Sequence, residues 1–124
     1  MPRAAAKPKS ATYPRTRLRV YLAEDVMLGP GKADLLEGIA ETGSIAAAGR
    51  RMGMSYKRAW MLVETLNGFF RQPLVAAATG GAKGGGAALT PLGVEVLARF
   101  RRMEAATVKA CAAEIAALQK KRAK

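Results

Sequence analysis

Residues 44–67 read SIAAAGRRMGMSYKRAWMLVETLN, and this stretch decides the fold. It predicts two amphipathic helices joined by a tight turn. Ser44 is a good N-cap for a first helix over 45–52, since its side-chain oxygen suits an orphan N–H of the opening turn. Ala47, Ala48 and Gly49 are small enough for two helices to cross closely. Met52 closes the first helix, Gly53 permits the positive φ of the turn, and Met54 plugs it. Ser55 caps the next helix, which runs to about residue 70 with Ala59, Leu62, Val63, Leu66 and Phe70 as its apolar stripe. Lys57, Arg58, Met61 and Thr65 point away from that stripe. This is the form of a helix-turn-helix, the usual device for presenting a helix end to the DNA major groove. A purely structural helical hairpin is the competing reading.

The flanking sequence completes a winged module. Upstream, Leu18, Val20 and Leu22 alternate with Arg17, Arg19 and Tyr21, a period-two strand with one apolar face. Met27 to Gly31 reads as a turn, and a helix follows over about 32–42 with Leu35, Leu36, Ile39 and Ala40 on one side. Gly43 stops it. Downstream, Leu74 and Val75 open a short strand, TGGAKGGGA over 79–87 is a hairpin tip, and 88–90 is a return strand. Thr90 and Pro91 then cap and start a helix reaching about residue 120. The fold class is mostly α with a small β-hairpin wing. Residues 1–16 read as a disordered basic arm, 17–90 as the winged helix-turn-helix, 91–120 as a long C-terminal helix, and 121–124 as a basic tail.

Charge points to a polyanionic partner. The 124 residues carry 21 Lys and Arg against 9 Asp and Glu, a net +12. Placement is uneven: Glu24, Asp25, Asp34, Glu37 and Glu41 precede the helix-turn-helix, whereas from Arg50 to Arg71 the one acid is Glu64. The acids at Asp34, Glu37 and Glu41 read as a solvated helix face. One cysteine and no histidine leave no metal set of the usual kind and no activated nucleophile. No enzyme activity, cofactor or metal is expected. No apolar run approaches the ~18 residues of a membrane span. A lone thiol suits a reducing compartment, so a cytoplasmic protein is the default.

Roles within the expected interface can be ranked. Ser44, Ser55 and the first N–H groups of their helices suit phosphate. Tyr56, Lys57, Arg58 and Met61 are the base-edge candidates, because the N-terminal turns of a recognition helix enter the groove. Lys57 and Arg58 are equally placed for guanine. Arg50, Arg51 and Arg71 are phosphate clamps rather than base readers. Trp60 lies four residues after Tyr56, and aromatics at that spacing more often pack than recognise, so Trp60 is expected to pack. Lys83, Gly84 and Gly85 form either a wing tip approaching the backbone or a plain flexible loop; no P-loop is present, since Lys83 is followed by Gly84. Phe100, Met103, Thr107, Cys111, Ile115 and Leu118 recur at helical steps. A helix of ~30 residues, ~45 Å long, outruns so small a domain, so these residues are expected to form a homodimer contact.

The run GSIAAAGRRMGMSYKRAWMLVETLN, the glycine-rich TGGAKGGGA and the following LTPLGVEVLARF together resemble the N-terminal DNA-binding domain of the molybdate-responsive ModE family. The S-Y-K-x-A-W segment, Ser55 to Trp60, is the specific part. More loosely, residues 44–66 resemble the winged helix of LysR-type regulators. The resemblance implies a dimeric winged helix-turn-helix that binds inverted-repeat operators in double-stranded DNA, with Ser55, Tyr56, Lys57 and Arg58 on its recognition segment and residues 79–86 on its wing. Full-length members carry oxyanion-binding modules beyond the long helix; the sequence in hand stops at Lys124, so molybdate binding by this chain alone is not expected. Two other functions remain open on the residues: an architectural nucleoid-type protein with little sequence preference, and a protein-interaction module docking through the last helix.

Overall fold

Two glycines with φ of 74°, Gly43 and Gly53, mark the two corners on which the helical part turns. The computed structural model describes residues 12–78 and 86–123. Residues 1–11 of the expected basic arm, and Lys83, Gly84 and Gly85 at the hairpin tip, lie outside the described residues. The elements run β1 (Val20–Ala23), β2 (Val26–Leu28), α1 (Pro30–Thr42), α2 (Ile45–Arg51), α3 (Tyr56–Phe69), β3 (Val75–Ala78), β4 (Gly86–Leu89) and α4 (Pro91–Gln119).

The three predicted serine and threonine caps all form. Ser44 Oγ accepts from the Ala47 N–H at 3.0 Å, Ser55 Oγ from the Arg58 N–H at 3.1 Å, and Thr90 Oγ1 from the Gly93 N–H at 3.0 Å. Each meets an N–H that the helix itself leaves without a partner. The Gly43 N–H closes α1 on the Ile39 carbonyl at 2.8 Å.

The helices cross where side chains are smallest. A methyl placed on Gly38 would lie 3.0 Å from Ala48 Cβ, and one on Gly49 3.0 Å from Ala59 Cβ. α2 is thus clamped between α1 and α3 through one glycine–alanine contact on each side. Leu35, Leu36, Ile39, Leu66, Leu74 and Phe100 are the largest fully buried side chains, and they form one continuous core.

Two parts of the N-terminal reading change. Val26–Leu28 is a strand, not a turn, and pairs antiparallel with β1 through Val20↔Leu28, Tyr21↔Met27 and Ala23↔Val26. The register shifts between Tyr21 and Ala23. A bulge there moves the inward position by one residue, so Leu22 is exposed and Ala23 half-buried. At the end of the expected basic arm, Pro14, Arg15 and Thr16 line a groove with Val108, Ala112 and Ile115 of α4.

The wing is tied at its base. β3 pairs antiparallel with β4 from Val75↔Leu89 to Ala78↔Gly86. The Ala87 N–H donates to the Gly43 carbonyl at 2.9 Å, joining the wing to the α1–α2 corner. Asn67, near the end of α3, accepts from the Leu74 N–H at 2.8 Å and donates to the Val75 carbonyl at 3.0 Å. Thr90 Oγ1 donates to the Pro73 carbonyl at 2.7 Å.

Gly93 shows how tightly α4 sits there. A Cβ at this position would fall on the Leu74 carbonyl, 3.0 Å from its carbon and closer still to its oxygen. Gly93→Ala gains about 1 kcal/mol of helix propensity, but overpacking against backbone costs about 1–3 kcal/mol or more. The urea midpoint is therefore expected to fall. Gly31→Ala, with nothing within 4 Å of the new methyl, is expected to leave it unchanged or raise it. A rise for Gly93→Ala would show that α4 can move away.

Candidate nucleic-acid interface

α3 offers three distinct surfaces because its buried positions fall at Ala59, Val63 and Leu66. Opposite that stripe are Lys57, Met61, Glu64 and Gly68, all exposed. One flank carries Arg58 and Thr65; with Ser55, Lys57, Met61 and Leu62 they line a shallow hollow. The other flank carries Tyr56 and Trp60 and turns towards the wing. Tyr56 lines a second hollow with Ser44, Ile45 and Ala46 of α2 and Gly86 and Ala87 of β4. The N-terminal end of α3, the start of α2 and the start of β4 therefore lie side by side.

Charge on this face is left uncompensated by design of the packing elsewhere. The carboxylates expected as a solvated face of α1 are mostly spoken for. Arg101 of α4 donates to Asp34 at 2.8 Å, to Glu37 at 2.6 Å and, from its other amino nitrogen, to Glu104 at 3.0 Å. Burial works against the Arg101 charge, but hydrogen bonds to the three carboxylates outweigh it and hold its pKa above the ordinary arginine value. Glu41 pairs with Arg51 at 2.7 Å. No ion pair joins Lys57, Arg58, Arg50 or Arg71 to an acid among the described residues, and all four side chains are exposed.

Lys32 adds a cation that the sequence reading missed. Its pKa is lowered, first by burial and then by the charge of Arg58. A lysine in the first turn of α1 thus stands close enough to the recognition helix to feel its arginine. Two like charges held together cost free energy that an anion placed near both would recover. The signal in the sequence was slight: Lys32 is the one base in a helix otherwise bearing acids.

The other predicted residues sort as follows. Ser44 and Ser55 use their side-chain oxygens as caps, leaving backbone N–H groups of each opening turn for a ligand. Arg51 pairs with Glu41 at the surface, both side chains half exposed. Trp60 is not buried: it is 44% exposed, with Tyr56 57% and Met61 52% exposed on the same helix. Phe100 is no part of an outward stripe. It is fully buried in the chain's own core, because the first turns of α4 lie against α1. Beyond Phe100 no residue of α4 is buried; Met103 and Leu118 are exposed and Thr107, Cys111 and Ile115 half-buried.

Among the described residues no helix is long and apolar enough to cross a membrane, and no group of three His, Cys, Asp or Glu could hold a metal ion.

Similar proteins agree with this architecture. The molybdenum-pterin-binding protein MopA of Rhodobacter capsulatus is 49% identical over 83 residues, covering 67% of this chain and 31% of the relative. The molybdenum transport protein ModE of Herbaspirillum seropedicae is 47% identical over 70 residues, 56% of this chain and 26% of the relative. The DNA-binding transcriptional dual regulator ModE of Escherichia coli K12 is 38% identical over 80 residues, 64% of this chain and 30% of the relative. The resemblance to ModE seen in Ser55 to Trp60 is borne out by these relatives, of whose length the chain spans about three-tenths. The family described as bacterial regulatory helix-turn-helix protein, lysR family, matches residues 32–94, from the first turn of α1 to the first turn of α4. With half of its length matched, and with the corner, recognition helix and wing in place, the chain belongs to the bacterial regulatory helix-turn-helix proteins of the lysR family.

Proposed function

We propose that this chain is a sequence-specific double-stranded-DNA-binding unit of a transcription regulator, ModE-like, acting as a dimer in the cytoplasm. The observation that carries the reading is the exposed pair Lys57 and Arg58 in the first turn of α3, without an acidic partner among the described residues, while Arg51 and Arg101 each pair with acids. An N-terminal turn of this kind enters the major groove, where guanine offers two acceptors to a cation. Arg50 and Arg71 are placed to hold phosphates, which position the helix without reading sequence.

The test is selection from random duplex DNA by the full chain. The expected result is an enriched sequence with two related halves about one helical turn, ~34 Å, or a multiple of it apart. Binding that weakens with salt but enriches no sequence would favour the architectural function. No retardation of DNA at low salt would favour a protein-interaction module.

Dimerisation rests on the outer part of α4. The helix has 29 residues, ~44 Å at 1.5 Å per residue, yet its buried positions end at Phe100. Met103, Thr107, Cys111, Ile115 and Leu118 continue the stripe where this chain supplies little cover. Ile115→Asp is expected to give a monomer mass by sedimentation with an unchanged helical spectrum. An unchanged dimer mass would place the contact elsewhere.

A further inference from the structure

We infer that Trp60 reads the C5-methyl group of a thymine in the major groove, on the opposite flank of α3 from Arg58. The inference rests on the proposed DNA-binding function and adds to it a specificity-determining residue of different chemistry.

α3 leaves apolar surface exposed outside its core stripe. Its core positions Ala59, Val63 and Leu66 are buried, whereas Trp60, in the second turn, is 44% exposed and Tyr56, one turn earlier on the same flank, 57% exposed. An indole left 44% exposed forgoes part of its burial gain. Its flank is not remote from the expected duplex: Tyr56 shares a hollow with the start of α2 and the start of β4. The opposite flank is cationic, with Arg58 close enough to Lys32 to lower the lysine's pKa after burial has done so.

Base edges in the major groove offer a matching division. Guanine presents two acceptors, which suit the cationic flank, and thymine presents a methyl group, the one apolar group on any of the four edges. A flat aromatic side chain covers such a methyl with only two torsions to fix. Removing one methyl from contact is worth about fourfold in affinity.

Replacing thymine by deoxyuridine deletes that methyl and leaves base pairing intact. On the sequence the full chain enriches, each thymine is replaced in turn. Wild type is expected to lose about fourfold at one or two positions per half-site. Trp60→Ala is expected to bind the parent site more weakly by a similar factor and to ignore uracil at those positions, while responding as wild type elsewhere. Trp60 is also the single tryptophan, so its emission should shift to the blue and escape iodide quenching in the wild-type complex. That reading does not depend on how the variant folds.

Equal iodide quenching in free and bound protein would overturn the inference, as would indifference of wild type to uracil at every position. So would an undiminished uracil effect in Trp60→Ala. An enriched site with no uracil effect removes this inference alone; the absence of any enriched site removes sequence-specific DNA binding and this inference together.

Discussion

Phe100→Ala is expected to cost about 3–5 kcal/mol of folding stability, the range for truncating a buried aromatic. Phe100 is 0% exposed and shares the core with Leu35, Leu36, Ile39, Leu66 and Leu74. The cavity left would lie where α4 meets α1, and rigid neighbours close it poorly. Domains of this size hold about 5–15 kcal/mol in all, so the variant should give up a large share of its stability. Equilibrium urea unfolding checks it through a fall in midpoint. A stably folded monomer would instead mean that Phe100 serves a subunit contact, the role its spacing first suggested. Ile115, four turns further along the same stripe, is expected to behave in the opposite way, with association lost and fold kept.

The second large effect belongs to Lys57 and Arg58. Each good cation–guanine pair contributes about 1–3 kcal/mol of discrimination. The double variant Lys57→Ala/Arg58→Ala should therefore lose roughly 30-fold to 20,000-fold in affinity for the selected site and bind it much as it binds random DNA. Both side chains are exposed and neither forms an ion pair among the described residues. Stability should stay within about 0.5 kcal/mol, as for other surface changes. Competition between selected and random duplexes measures the effect. Arg50→Ala gives the contrast: about one unit less in the slope of log affinity against log salt, with the sequence preference kept. A double variant that still distinguishes the two duplexes would move base reading to other residues.

Much of this molecule was legible in its sequence because local chemistry determines it. Ser44, Ser55 and Thr90 are caps, Gly43 and Gly53 adopt positive φ, and Gly49 sits at the helix crossing, all as composition and spacing suggested. The rest depended on what lies across space. The stripe of α4 runs unbroken from Val96 to Leu118, and periodicity alone does not say where α1 stops covering it; the structure puts that limit after Phe100. Val26–Leu28 is too short for alternation to announce a strand, and the bulge beside it reverses which neighbour faces inward. Arg101 looks like any surface base until Asp34 and Glu37, more than sixty positions earlier, are brought to it. Trp60 was expected to pack because aromatics at helical spacing usually do, yet it stays 44% exposed.

The most direct measurement of the central claim is methylation interference with dimethyl sulfate, which marks guanine at N7 in the major groove and adenine at N3 in the minor groove. If the first turns of α3 enter the major groove with Lys57 and Arg58 on guanine, N7 methylation of one or more guanines in each half-site will block binding, and the double variant will lose that pattern. Binding that tolerates N7 methylation throughout, and is blocked only by methyl groups at adenine N3, would contradict the account.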